Sequence, residues 1–151
     1  MKVSTRGDYA ARALLSLALH GSDQPTSVKE IAERTGLPQP YLEQILLAVK
    51  GAGLVRSKRG VGGGYVLARP AAEIDLAAIV AAVDGPLTTL LDEHDHCEGH
   101  CVLQEVWVGA SDEMRRHLEA VTLADLVDRT RAGHPGGSGP SSSARSASST
   151  V

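Results

Sequence analysis

The run Arg59-Gly60-Val61-Gly62-Gly63-Gly64-Tyr65-Val66-Leu67-Ala68 restricts the fold more than any other part of the chain. Leu54-Val55-Arg56-Ser57 and Gly64-Tyr65-Val66-Leu67 have strand composition, and they flank a tip made of Lys58, Arg59 and glycine. Glycine tolerates positive φ and close backbone approach, so the pattern predicts a two-stranded hairpin with a basic tip. Cations at such a tip suit a nucleic-acid backbone or a narrow groove. Taken alone, the same pattern also fits a hairpin with a solvated basic turn.

The preceding residues decide between these readings. Ala10, Ala13, Leu14, Leu17 and Ala18 fall on one face of a helix from about Thr5 to His20, with Gly21 as its stop. Ser27-Val28-Lys29-Glu30 has capping-box spacing and opens a short second helix through Ile31 and Ala32. Thr35-Gly36-Leu37 turns the chain. Pro38-Gln39-Pro40 starts a third helix, with Pro40 suited to its first position, and Leu42, Ile45, Leu46 and Val49 form its apolar stripe. That leaves Gln39, Tyr41, Glu43, Gln44 and Lys50 facing outward, where polar groups can reach base edges in a major groove. Gly51 and Gly53 end the helix.

Helix, short helix, turn, helix, hairpin is the order of a winged helix-turn-helix. The predicted fold is mainly α: a DNA-binding domain over 1–70 with a two-stranded wing, and a long C-terminal dimerisation helix in a second region over 71–131. Charge follows the same division. Residues 1–70 hold ten Lys/Arg against five Asp/Glu, a net of +5. Residues 71–151 hold five against thirteen, a net of −8. A basic half points to a polyanion as partner.

In the second region, Ile74 and Asp75 open a helix over Leu76, Ile79, Val80 and Val83. Asp75 is the expected N-cap and Ile74 staples onto Ile79, before Gly85-Pro86 closes the helix. Residues 92–101 have no periodicity and read as a loop. From about Val102 to Glu119, Leu103, Trp107, Ala110, Met114 and Leu118 recur at helical steps as a narrow seam. Its length suits pairing with the same helix of a second chain. Thr122-Leu123-Ala124-Asp125 resembles another cap with a final helical turn. Residues 132–151 are rich in Gly, Pro and Ser and are expected to be a disordered tail.

The start has no long apolar run of a signal peptide, and no segment has bilayer-crossing length, so a cytoplasmic protein without membrane contact is expected. Cysteines there stay reduced, which directs attention to metal or redox chemistry. Catalysis is not expected. There is no nucleophile–base pair, phosphate loop or nucleotide fingerprint, and Cys97 and Cys101 are spaced Cys-x-x-x-Cys in an acidic loop.

Several stretches resemble the Rrf2 (Rrf-two) family of bacterial transcriptional regulators, which includes iron–sulfur and nitric oxide sensors. They are the opening Met1-Lys-Val-Ser-Thr-Arg-Gly-Asp-Tyr-Ala, then Ile31-Ala-Glu-Arg-Thr-Gly-Leu-Pro, Tyr41-Leu-Glu-Gln-Ile-Leu and Gly53 through Pro70. The resemblance covers about residues 1–130. It implies a homodimer on a palindromic operator of double-stranded DNA. The helix holding Gln39, Pro40, Tyr41, Glu43 and Gln44 would lie in the major groove, and the wing's Lys58, Arg59 and Gly60 would reach the adjacent minor groove.

Sensor members of the family hold an iron–sulfur cluster with three cysteines. Cys101 matches the last of these, six residues before Trp107, and Cys97 lies four residues earlier; the chain has no third cysteine. His94, His96 and His100 surround the two thiols, and imidazole and thiolate both ligate iron–sulfur clusters and zinc. Two thiolates favour a 2Fe–2S over a 4Fe–4S cluster; zinc, a thiol switch or no cofactor remain open alternatives. Asp8 matches an oxygen ligand of some members, and it also has capping-box spacing from Thr5. Gln104 stands where another ligand set places a histidine.

Overall fold

The computed structural model describes residues 3–20, 23–86 and 98–133. Its elements are α1 (Thr5–Leu19), α2 (Val28–Thr35), α3 (Gln39–Gly51), β1 (Val55–Lys58), β2 (Gly64–Leu67), a 3-10 turn (Ala71–Glu73), α4 (Leu76–Asp84), α5 (His100–Glu119) and α6 (Leu123–Arg131). The order is that of a winged helix-turn-helix followed by a long helix. His94, His96, Cys97 and the tail beyond Gly133 lie outside the described residues.

Capping chemistry sets most of the helix starts. Ser4, not Thr5, caps α1: its hydroxyl accepts from the Gly7 N–H at 2.9 Å. The capping box expected between Thr5 and Asp8 therefore does not form. The Ser4 hydroxyl also donates to the Asp84 carboxylate, joining the start of α1 to the end of α4. A Cβ on Gly7 would stand 3.2 Å from that carboxylate, so glycine lets the two ends approach. The Ser27–Glu30 box is present at α2, and Asp75 caps α4 by accepting from Ala78 N–H at 2.8 Å. Pro40 sits one residue later than expected, because Gln39 is already helical and Pro38 is the cap.

One buried cluster joins the elements. Ala10, Ala13, Leu14 and Leu17 of α1 meet Ile31 of α2 and Leu42, Ile45, Leu46 and Val49 of α3. Leu54, Val55 and Leu67 add the wing base, and Ile74, Ile79 and Leu123 bring in α4 and α6. The core thus continues across residue 70.

The wing strands pair antiparallel in the register Val55↔Leu67 to Lys58↔Gly64. Pairing begins one residue later than the composition suggests, because the Leu54 N–H is already donated to Val49 at the end of α3. A third chain segment borders the hairpin. Thr26 and Tyr65 exchange both backbone hydrogen bonds, at 3.0 and 2.8 Å, and fix β2 against the entrance to α2. This contact accounts for Gly64, and close backbone within the tip accounts for Gly63. A Cβ on Gly64 would lie 2.3 Å from the Thr26 carbonyl oxygen, and one on Gly63 2.4 Å from the Lys58 carbonyl oxygen.

Beyond the wing, two corrections concern helix length. α5 begins at His100 rather than Val102, because Gly99 at φ 73° turns the chain directly into the helix ahead of its first apolar residue. Cys101 is therefore helical. The expected final turn is a nine-residue helix, α6, which buries Leu123 and Val127. Its capping box pairs Thr122 with Asp125, and the Thr122 N–H holds the exposed Asp125 carboxyl below the ordinary carboxylate range. A lowered carboxyl pKa contributes stability above the unfolded value, lost as pH falls through the folded one. Asp75 and Thr122 also pair across the chain: Leu76 N–H donates to the Val121 carbonyl and Leu123 N–H to the Ile74 carbonyl, each at 2.9 Å.

Gly64→Ala should destabilise the fold by about 2 kcal/mol or more, since the added carbon meets backbone rather than a side chain that can move. Gly51→Ala, in open space at the end of α3, should be neutral or stabilise by roughly 0.5 kcal/mol. Thermal unfolding of the two variants checks this, and equal effects would contradict the packing account.

Candidate nucleic-acid interface and cysteine site

The apolar stripe of α3 sets what the helix shows to solvent. With Leu42, Ile45, Leu46 and Val49 buried, Gln39, Pro40, Tyr41, Glu43 and Gln44 are all exposed on the far side. Leu47 is exposed beside them at 63 %, a position the sequence pattern did not single out. Tyr41 is partly held. Its ring meets that of Tyr9 on α1 edge-on, with centroids 6.1 Å apart.

The wing presents a second surface. Lys58, Arg59 and Gly60 are exposed, and the tip turns through Gly60 at φ 97° and Gly62 at φ 74°. Val61 projects fully from the tip, another residue the sequence reading passed over. Lys50 Nζ donates to Ser57 Oγ at 2.7 Å, tying the C-terminal turn of α3 to β1. The wing base is anchored to α3 by Leu54, Val55 and Leu67 in the core, and this exposed bond adds one contact between them.

Electrostatics favour an anionic partner here. Between Glu43 and Glu73 the chain carries Lys50, Arg56, Lys58, Arg59 and Arg69 and no acidic residue. Among the described residues, neither Lys58 nor Arg59 makes an ion pair. Unpaired surface cations leave their field available to phosphates.

The metal-type residues are less well gathered. Cys101 lies exposed in the first turn of α5 and is not a free thiol. His100 is the first residue of that helix. Asp8 lies in the first turn of α1, where its carboxylate pairs with Arg12 at 2.9 Å. Among the described residues no three His, Cys, Asp or Glu side chains come together as a metal site. On donor chemistry alone, two thiolates with imidazole or carboxylate oxygen fit a 2Fe–2S cluster or zinc; they do not supply three thiolates.

The seam residues of α5 divide into two sets. Leu103 and Trp107 are half exposed, while Ala110, Met114 and Leu118 are partly covered where α5 lies along α4. Val102, Val106 and Val108 widen the exposed apolar surface at the N-terminal half. No helix among the described residues is long and apolar enough to cross a membrane.

Comparisons with known proteins agree with this arrangement. Residues 3–129 match the Rrf2 family, described as an iron-dependent transcriptional regulator. The HTH-type transcriptional regulator IscR of Serratia proteamaculans is 37% identical over 131 residues, covering 85% of this chain and 80% of that protein. Protein rrf2 of Nitratidesulfovibrio vulgaris is 38% identical over 131 residues, covering 84% and 87%. Among solved structures, the global cysteine regulator CymR of B. subtilis superposes with a TM-score of 0.74 at 34% identity, covering 85% of this chain and 97% of that one. T. potens IscR gives 0.72 at 38% identity, covering 86% and 88%. These relatives are regulators of transcription and not enzymes. The chain belongs to the Rrf2 family of transcriptional regulators.

Proposed function

We propose that this DNA-binding regulator works as a homodimer on a palindromic operator, most simply as a repressor, and that the Cys/His segment before α5 makes its binding respond to redox state, nitric oxide or iron status. One observation carries the DNA reading: the exposed polar face of α3 and the unpaired cations of the wing stand on adjoining elements joined by the Lys50–Ser57 bond. In this reading Gln39, Pro40, Tyr41, Glu43 and Gln44 face the major groove, while Lys58, Arg59 and Gly60 enter the minor groove beside it.

The dimer rests on α5. Leu103, Trp107 and the neighbouring valines expose a continuous apolar strip, which a second copy of the same helix would cover. The seam through Ala110, Met114 and Leu118 continues it toward α4.

For the sensor, Cys97 and Cys101 would hold a 2Fe–2S cluster, completed by His94, His96 or His100 or by Asp8 of the second copy. Bound there, the cluster would supply redox-dependent cross-linking of the two regions. The chain's own contacts offer the route onward. Asp84, the last residue of α4, accepts from Ser4 at the start of α1, and Tyr9 on α1 braces Tyr41 on α3. Freeing the first turn of α1 would therefore alter how Tyr41 is held. A second reading is a thiol switch, favoured by Cys101 not standing as a free thiol. Zinc in place of the cluster, or no cofactor, are the remaining alternatives.

Three outcomes are expected. Arg59→Ala should weaken operator binding and reduce the slope of log affinity against log salt by about 1 per wing; an unchanged slope removes Arg59 from the phosphates. Leu103→Asp with Val106→Asp should give a monomer by light scattering and lower operator affinity by roughly 100-fold or more, as the two half-sites lose their linkage. Protein purified without oxygen should contain iron and sulfide in equal amounts, lost in Cys97→Ser or Cys101→Ser, and its operator affinity should change when they are removed. Equal affinity in both states rejects sensing while leaving DNA binding intact.

A further inference from the structure

Leu47 stands on the face of α3 that the core leaves open. It follows Glu43 by four residues and Gln44 by three, so it lies one turn further along the same face. Its 63 % exposure makes it the most exposed large apolar side chain on α3. No apolar neighbour is needed to seat it, because the buried stripe of the helix is already complete with Leu42, Ile45, Leu46 and Val49. A leucine exposed alone on a protein surface usually carries no meaning. This one continues the row of Glu43 and Gln44 proposed to face base edges, on the helix whose last turn is joined to the wing by Lys50 and Ser57.

Within a major groove, the apolar feature of a base pair is the C5-methyl of thymine; the other edge groups are hydrogen-bond donors and acceptors. A leucine offers no donor or acceptor. Set against a cytosine amino group or a guanine carbonyl, it would strip water from a polar edge and return nothing. Against a thymine methyl it gains apolar contact on both sides. A leucine at a base edge would therefore discriminate both by attraction to the methyl and by refusal of polar edges.

We propose that Leu47 is a specificity-determining residue that reads the 5-methyl group of a thymine in each operator half-site. The inference rests on the proposed docking of α3 in the major groove and adds a base class to it.

Deoxyuridine provides the test, since it keeps every hydrogen-bonding group of thymine and lacks only the methyl. Full-length protein selects its preferred duplex from a random pool, and each thymine of that duplex is then replaced by deoxyuridine at symmetric positions. For the wild type, one replacement should cost about fourfold per half-site, or roughly 15-fold for the palindrome, as expected for losing one buried methyl contact on each side. Leu47→Ala should lose affinity for the thymine duplex and be indifferent to that same replacement. Leu47→Ala fills an exposed helical site with a better helix former, so its melting temperature should match or exceed the wild type's. Leu47→Ser, also measured, should repeat the indifference. If wild type and both variants respond equally to every deoxyuridine, the inference is overturned while base reading by α3 survives. If no preferred duplex emerges from the pool, the docking of α3 fails and this inference with it.

Discussion

The outer face of α3 and the base of the wing are positioned by the core that the buried face of α1 organises. Ala10 and Ala13 are without exposure, and their small side chains let neighbouring elements approach while Leu14 and Leu17 fill the space between. α2, α3, α4, α6 and β2 all pack on this one helix. α3 shares this support, since its stripe of Leu42, Ile45, Leu46 and Val49 is buried in the same cluster, and it packs on α2, α4 and β1 as well. A change in the position of α1 is therefore felt on both sides: at α3, which is proposed to face DNA, and at α4, which leads toward the cysteines. The bond between Ser4 and Asp84 and the contact between Tyr9 and Tyr41 sit at those two junctions.

Local signals in the sequence are sufficient for most of this frame. Ser27 and Glu30, Asp75, and Thr122 with Asp125 each announce a helix start through their own side chains, and each does so in the structure. The stripe of α3 is legible for the same reason: period and burial coincide. Errors arise where a competing group wins. Ser4 precedes Thr5 and reaches the Gly7 N–H first, so the apparent Thr5–Asp8 box is never made, and Asp8 turns to Arg12. Gly99 starts α5 before any apolar residue marks it. Long-range effects leave weaker marks. The demand for glycine at position 64 comes from Thr26, thirty-eight residues away, and the closeness at Gly7 from Asp84; neither partner is visible in the local pattern.

The functional surfaces were unevenly legible. Polar residues on the outer face of α3 and the cations of the wing follow directly from the core stripe and the hairpin. Leu47 and Val61 are not legible in this way, because a pattern that sorts apolar residues into cores has no place for one that faces solvent. The apolar strip of α5 was anticipated as a narrow seam, and its extra width at Val102, Val106 and Val108 departs from a strict heptad spacing. Ligand geometry is a matter of tertiary placement. Spacing identifies thiols and imidazoles but does not bring Asp8 and Cys101, which lie on different helices, toward one another.

The short ladder at Asp75 and Thr122 gives the second half of the molecule an unusual anchorage. The chain departs from this point, runs through α4 and α5, and comes back to the same two hydrogen bonds before entering α6. The two legs are joined at this base, and α4 is fastened a second time, by Ile79 in the core and by Asp84 on Ser4. Residues added or removed between α4 and α5 would therefore leave this joint, and the core it adjoins, as they are.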